Sequence, residues 1–136
     1  MAGLVLVTRP VDQAAQTARR LRAMGHAPLL APALAIEARR LAPVARVQAV
    51  LVTSANALAS LPEPLRQHRL LAVGDATAGR ARAAGFTDVA SAGRDAAALA
   101  ALATRLLDPA AGPVLLAVGE GHGVTLAAAL RDAGFS

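Results

Sequence analysis

The feature that most constrains this chain is an alternation of short Val/Leu runs with longer Ala/Arg/Leu segments of helical spacing. That is the pattern of an α/β protein built on a mostly parallel sheet. Six runs read as strands: Leu4 to Thr8, Ala27 to Ala31, Ala49 to Thr53, Leu70 to Val73, Asp88 to Ser91 and Val114 to Val118. They are apolar on consecutive positions, which predicts strands covered on both faces.

A second repeat lies in the helix endings. The first helix is expected from Val11 to Met24, with Asp12 in its electropositive first turn and Gly25 just past its end. Met24-Gly25-His26, Ala84-Gly85-Phe86 and Ala133-Gly134-Phe135 each set a glycine after an Ala/Arg/Leu segment, as a left-handed cap that turns the chain back toward a strand. A strand follows the first two caps; after the third only Ser136 remains, which leads to the expectation that the natural protein continues.

Composition narrows the chemistry. Among 136 residues, 55% apolar and 1% aromatic, a core must be packed from Leu, Val and Ala, which implies modest stability. All fourteen basic side chains are arginine and the formal charge is +5, so an anionic partner fits. Nucleic acid would call for a dense basic stripe or stacking aromatics, whereas the closest basic clusters are Arg19, Arg20, Arg22 and the pair Arg39, Arg40. No nucleic-acid partner is expected, and arginines on solvated faces explain the charge equally well. Cysteine is absent, which excludes disulfides, thiolate catalysis and cysteine metal sites. His26, His68 and His122 stand in separate linkers without a second ligand at metal spacing, so no metal is expected. No run approaches the ~18 residues of a membrane span, and Leu4 to Val7 is too short for a signal core. The expected location is cytoplasmic, without membrane association.

Pro28, Pro32 and Pro43 bracket a stretch from Ala33 to Gln48 without a convincing long helix, as suits a crossover between domains. Residues 1–34 then supply a β-α-β part of a first domain whose remainder is missing, and residues 35–136 a nearly complete second α/β domain. The rival is one doubly wound sheet of all six strands.

In parallel α/β sheets ligands sit at the carboxyl ends of strands, where helix N-termini expose unpaired N–H groups. Those ends read Thr8-Arg9-Pro10, Thr53-Ser54-Ala55-Asn56, Gly74-Asp75-Ala76-Thr77 and Gly119-Glu120-Gly121-His122-Gly123. Small residues, hydroxyls and glycines on such a rim favour carboxylates or phosphates. Each has a plainer reading: Ser54, Asp75 and Thr77 as caps or first-turn residues, Arg9 as a solvated charge. The last glycine run resembles a dinucleotide loop, but Val124 stands where a third glycine or alanine belongs. A phosphate-binding P-loop needs a lysine, and a serine hydrolase needs a G-x-S-x-G elbow; the chain has neither.

Leu6-Val7-Thr8-Arg9-Pro10 followed by Gln13, Pro28-Leu29-Leu30-Ala31-Pro32, Val52-Thr53-Ser54-Ala55-Asn56-Ala57 and Ala72-Val73-Gly74-Asp75-Ala76-Thr77-Ala78 occur in this order. With Gly85-Phe86 and Ala92-Gly93 continuing it, this set resembles the uroporphyrinogen-III synthase family over the whole chain. The resemblance implies parallel, doubly wound, flavodoxin-like or Rossmann-like sheets in a two-domain protein, the first domain incomplete here. It implies cyclisation of hydroxymethylbilane, a linear tetrapyrrole, with inversion of ring D and loss of water, without metal or organic cofactor, by a protein that is monomeric at full length. Residue by residue it implies Thr77 near the reacting end, amides of Ser54, Ala55 and Asn56 facing substrate carboxylates, Gly74 in the same rim, Arg9 directed to an interdomain cleft, and Gly119 offering its N–H to an anion. Two departures stand against it: the family often carries a tyrosine beyond this terminus, and an arginine where Gly123-Val124-Thr125 occurs. The alternatives are an inactive fragment of that enzyme, a non-catalytic module binding a small polycarboxylate or phosphate, and a dinucleotide-binding oxidoreductase fragment using Gly119 to Gly123.

Overall fold

The computed structural model describes residues 2–44 and 46–136. The fold is α/β with parallel strands and helices, of the flavodoxin-like or Rossmann-like kind. The chain divides into two compact units, residues 1–37 and 38–136, and its six strands form two sheets rather than one.

The first unit holds β1 (Leu4–Val7), α1 (Val11–Ala23) and β2 (Ala27–Leu30). The strands pair in parallel, with Leu4 opposite Ala27 and Val7 opposite Leu30. Val7, Ala14 and Ala18 are buried, whereas Leu4, Leu6 and Leu29 are 75%, 57% and 52% exposed. The expectation that every strand is covered on both faces therefore fails here. One helix crosses a two-stranded ribbon, so within this unit only one face has a partner.

The second unit holds β3 (Ala49–Val52), β4 (Arg69–Ala72), β5 (Val89–Ser91) and β6 (Val114–Ala117), with α2 (Asp75–Ala83), α3 (Ala96–Leu106) and α4 (Val124–Asp132). The sheet runs β5-β4-β3-β6, all parallel. Here consecutive apolar residues do serve both faces. Val50, Val52, Leu70 and Ala72 pack on one side with Ala78 and Ala81 of α2 and with Phe86. Ala49, Leu51 and Leu71 pack on the other with Leu99 and Leu102 of α3, Leu126 and Leu130 of α4, and Phe135. Alternation along a strand sends neighbours to opposite faces, and each face receives one of the two phenylalanines.

Strand ends fall within a residue of their sequence positions. The β3–β4 connection has no α-helix: two 3₁₀ helices, Ala55–Ser60 and Glu63–Gln67, replace it. Pro62 and Pro64 lack N–H donors, which keeps a continuous helix from spanning the segment.

The three glycine caps form as predicted. At α2 the N–H of Gly85 donates to Arg82 O and that of Phe86 to Ala81 O; α1 and α4 repeat the pair through Gly25-His26 and Gly134-Phe135. This is the Schellman arrangement, and it needs the positive φ observed at each glycine. The two phenylalanines are the residues that follow the cap, so the hydrogen bonds that end the helix also deliver the aromatic ring to the core. Past the third cap, Val114 N–H donates to Ser136 O, as Leu70 N–H donates to Asp88 O at the start of β5. Between Leu30 and Ala49 the described residues contain neither helix nor strand.

Candidate functional site

Strand order decides which loops meet. Val52, at the end of β3, pairs with Ala72 on one side and Ala117 on the other. The segments that follow, Thr53 to Asn56, Gly74 to Thr77 and Gly119 to Gly123, therefore leave adjacent strand ends. The chain steps outward from β3 to β4 to β5 and then returns to β6 on the far side of β3. The gap between β3 and β6 is thus the topological switch point at which open α/β sheets bind ligands. Ser54, Ala55, Asn56, Gly74, Thr77 and Gly119 are brought to one rim; β5 and the start of α3 lie at its outer edge.

The helix starts on that rim differ from the one at its edge. Neither α2, beginning after Gly74, nor α4, beginning after Gly123, has a side chain bonded to its first-turn amides. At α3 the Asp95 carboxylate accepts from Ala98 N–H at 2.8 Å. The open N-termini retain unpaired donors and the positive end of the helix dipole, whereas α3 closes its own. Asp75 is the first residue of α2 but does not cap it.

Ser54 proves to be a cap in part: its Oγ accepts from Asn56 N–H at 3.3 Å and opens a 3₁₀ helix. That uses the Asn56 amide, which the resemblance directs to a substrate carboxylate. The Ala55 amide is not engaged by Ser54. Thr77 is different. Thr17 and Thr104 return their hydroxyls to the carbonyl four residues back, Gln13 O and Ala100 O. For Thr77 that carbonyl belongs to Val73, which precedes α2 and its N-cap Gly74 and accepts from Arg94 N–H at 3.1 Å. The half-buried Thr77 hydroxyl makes no hydrogen bond among the described residues.

The β6–α4 loop is shaped by close approach. His122 N–H donates to Gly119 O at 3.0 Å. Gly123 has φ +82°, and a Cβ there would lie 2.9 Å from Val118 Cγ1. Any side chain would be strained in backbone and in space, so the start of α4 is bare by necessity. Glu120 bonds Arg39 at 2.9 Å, both side chains well exposed. Sequence reasoning met Arg39 only as half of a basic pair; no local signal links it to a residue so distant in the chain.

Arg9 belongs to the first unit. Its guanidinium bonds Gln13 Oε1 at 2.7 Å and Thr17 Oγ1 at 3.0 Å along the exposed side of α1. His26 Nδ1 accepts from Gly3 N–H at 3.3 Å, a structural use. A depression of about 300 Å³ is lined by Arg40, Leu41 and residues 59–62 and includes none of the predicted site residues. No helix among the described residues is long and apolar enough to cross a membrane.

A search of curated proteins returns no significant match. A family model described as HEM4, uroporphyrinogen-III synthase HemD, matches residues 15–136. The match takes in every rim residue of the second unit and leaves Arg9 outside it. With nine-tenths of its length matched in this way, the chain belongs to the uroporphyrinogen-III synthase family, which gives it a role in tetrapyrrole biosynthesis and a small-molecule tetrapyrrole substrate.

Proposed function

We propose that the protein cyclises hydroxymethylbilane to uroporphyrinogen III, with inversion of ring D and loss of water. The observation that carries this is the pair of uncapped helix starts, α2 and α4, after the two strands that flank β3, on the same sheet as a helix that caps itself with Asp95. A substrate bearing eight carboxylates is matched by amides left unpaired, and those donors attract anions without introducing a nucleophile.

The bilane loses its hydroxyl as water, giving an azafulvene; the substituted carbon of ring D then attacks it and a spiro intermediate rearranges to the macrocycle. Atoms balance between one substrate, one tetrapyrrole and water, so no electron donor enters. The task of the protein is to bend a flexible chain until the two ends meet, and holding reacting groups in place is worth a large share of such a barrier. Amides of Ala55 and of the Gly74 and Gly119 turns hold carboxylates; the Thr77 hydroxyl, free of its usual backbone acceptor, donates to the departing oxygen. Ser54 shapes its turn and Asn56 lies beside it. Arg9, in the first unit, is a substrate-binding residue that pairs with a substrate carboxylate. The full-length protein acts as a cytoplasmic monomer.

Incubation with hydroxymethylbilane followed by separation of isomers tests this: type III product is expected, and only type I, the spontaneous isomer, would overturn it. A saturable rise in melting temperature with uroporphyrinogen but no type III product would assign a binding module for polycarboxylates instead.

A further inference from the structure

We propose that Gln13 and Thr17 are positioning residues that aim the Arg9 guanidinium while leaving its charge available to a substrate carboxylate; this rests on Arg9 being a substrate-binding residue. Arg9 Nη2 donates to Gln13 Oε1 at 2.7 Å and Nη1 to Thr17 Oγ1 at 3.0 Å. The Thr17 hydroxyl gives its own proton to Gln13 O at 3.2 Å, which turns its lone pairs to the guanidinium. Gln13 and Thr17 stand one turn apart on the same side of α1. Two of five guanidinium donors are engaged, which fixes the plane of the group.

Both acceptors are uncharged. Arg39, Arg66 and Arg69 each face a carboxylate, whereas Arg9 faces none among the described residues. Position 13 is also where a glutamate would be favoured twice over. It lies four residues from Arg9, and as the third residue of α1, after Pro10 at its N-cap, it sits in the turn that the helix dipole makes hospitable to negative charge. Glutamine forgoes both gains and keeps the geometry. An arginine held by an amide and a hydroxyl is oriented but not neutralised, as an arginine awaiting an external anion needs to be.

The experiment compares wild type with Arg9→Ala, Gln13→Glu, Thr17→Val and Thr17→Ser. It measures uroporphyrinogen III affinity under anaerobic conditions, KM and kcat with hydroxymethylbilane, and melting temperature. Gln13→Glu, almost isosteric, is expected to keep or raise the melting temperature yet weaken binding about as much as Arg9→Ala, on the order of fivefold to tenfold, with KM raised and kcat unchanged. Thr17→Val is expected to weaken binding about twofold to threefold, roughly half a kcal/mol in free energy, and Thr17→Ser to restore it. Wild-type affinity in Gln13→Glu together with weakened binding in Arg9→Ala would overturn the positioning role and leave Arg9 standing. Wild-type affinity in Arg9→Ala, or no binding by the wild-type protein, would remove the substrate-binding role itself and the proposal with it.

Discussion

Helices α2 and α3 rise from the same sheet with almost the same backbone at their starts. Gly74 has φ −155° and ψ 172°, and Asp95 has φ −145° and ψ −179°. Only the side chain differs. At α3 a carboxylate closes the first turn from within; at α2 nothing does, and a Cβ on Gly74 would meet no atom within 4 Å. Space and strain therefore did not exclude a cap from α2. Helix starts can be left open at a small loss of stability, and the loss is accepted on the rim and avoided at its edge.

That contrast can be broken most severely at α4. Gly123→Val is expected to lower stability by about 2–4 kcal/mol, since it adds a strained left-handed residue and an overpacked contact with Val118. Urea unfolding checks it. An unchanged midpoint would mean that the bare end of α4 is incidental.

The contrast can also be moved from one helix to another. Gly74→Asp copies the α3 cap onto α2 and is expected to add a few tenths of a kcal/mol of stability while weakening uroporphyrinogen binding about tenfold, or ~1.4 kcal/mol. Calorimetric titration beside thermal unfolding separates the two effects. The converse variant, Asp95→Ala, is expected to cost about 1 kcal/mol of stability and to leave ligand affinity within about twofold of wild type. Equal losses of affinity in both variants would erase the distinction between rim and edge.

For Thr77→Ala the change in stability is expected to stay within about 0.5 kcal/mol. Its turnover is expected to fall roughly fivefold, the worth of one neutral hydrogen bond of about 1 kcal/mol. Isomer assays alongside unfolding curves measure both, and a parallel loss of fold and turnover would count against a role for this hydroxyl at the reacting end.

Strands were legible because β3, β4 and β6 carry apolar residues on consecutive positions, and burial on two faces permits little else. The helix ends were legible for a comparable reason: Gly85-Phe86 and Gly134-Phe135 join the residue that can turn left-handed to the one that must be buried. The same runs misled in β1 and β2, where Leu4, Leu6 and Leu29 look like core and are exposed, since an apolar run states what a face can bury and not whether a partner is present. The 3₁₀ helices after β3 were not apparent, because the Ala-rich Ala55–Ser60 segment is compatible with an α-helix until the prolines that follow are placed.

At the rim, residue types announced an affinity for anions, but their status depended on distant groups. Thr77 has no hydrogen-bond partner among the described residues, four positions after a residue that lies outside α2, and Ser54 is partly spent because Asn56 turns back on it.

By itself the sequence determined six strands, their helices, the glycine stops and a set of small and hydroxylic residues at strand ends. These are consequences of period, propensity and capping, each felt within a few residues of chain. Only the tertiary structure decided that β6 returns beside β3, setting Gly119 next to Ser54 with Gly74 on the far side of β3, and leaving Asp95 at the margin. Strand order is chosen by which burial of two faces a whole unit can complete, a free energy summed over contacts between residues far apart in the chain, and no local window of sequence contains it.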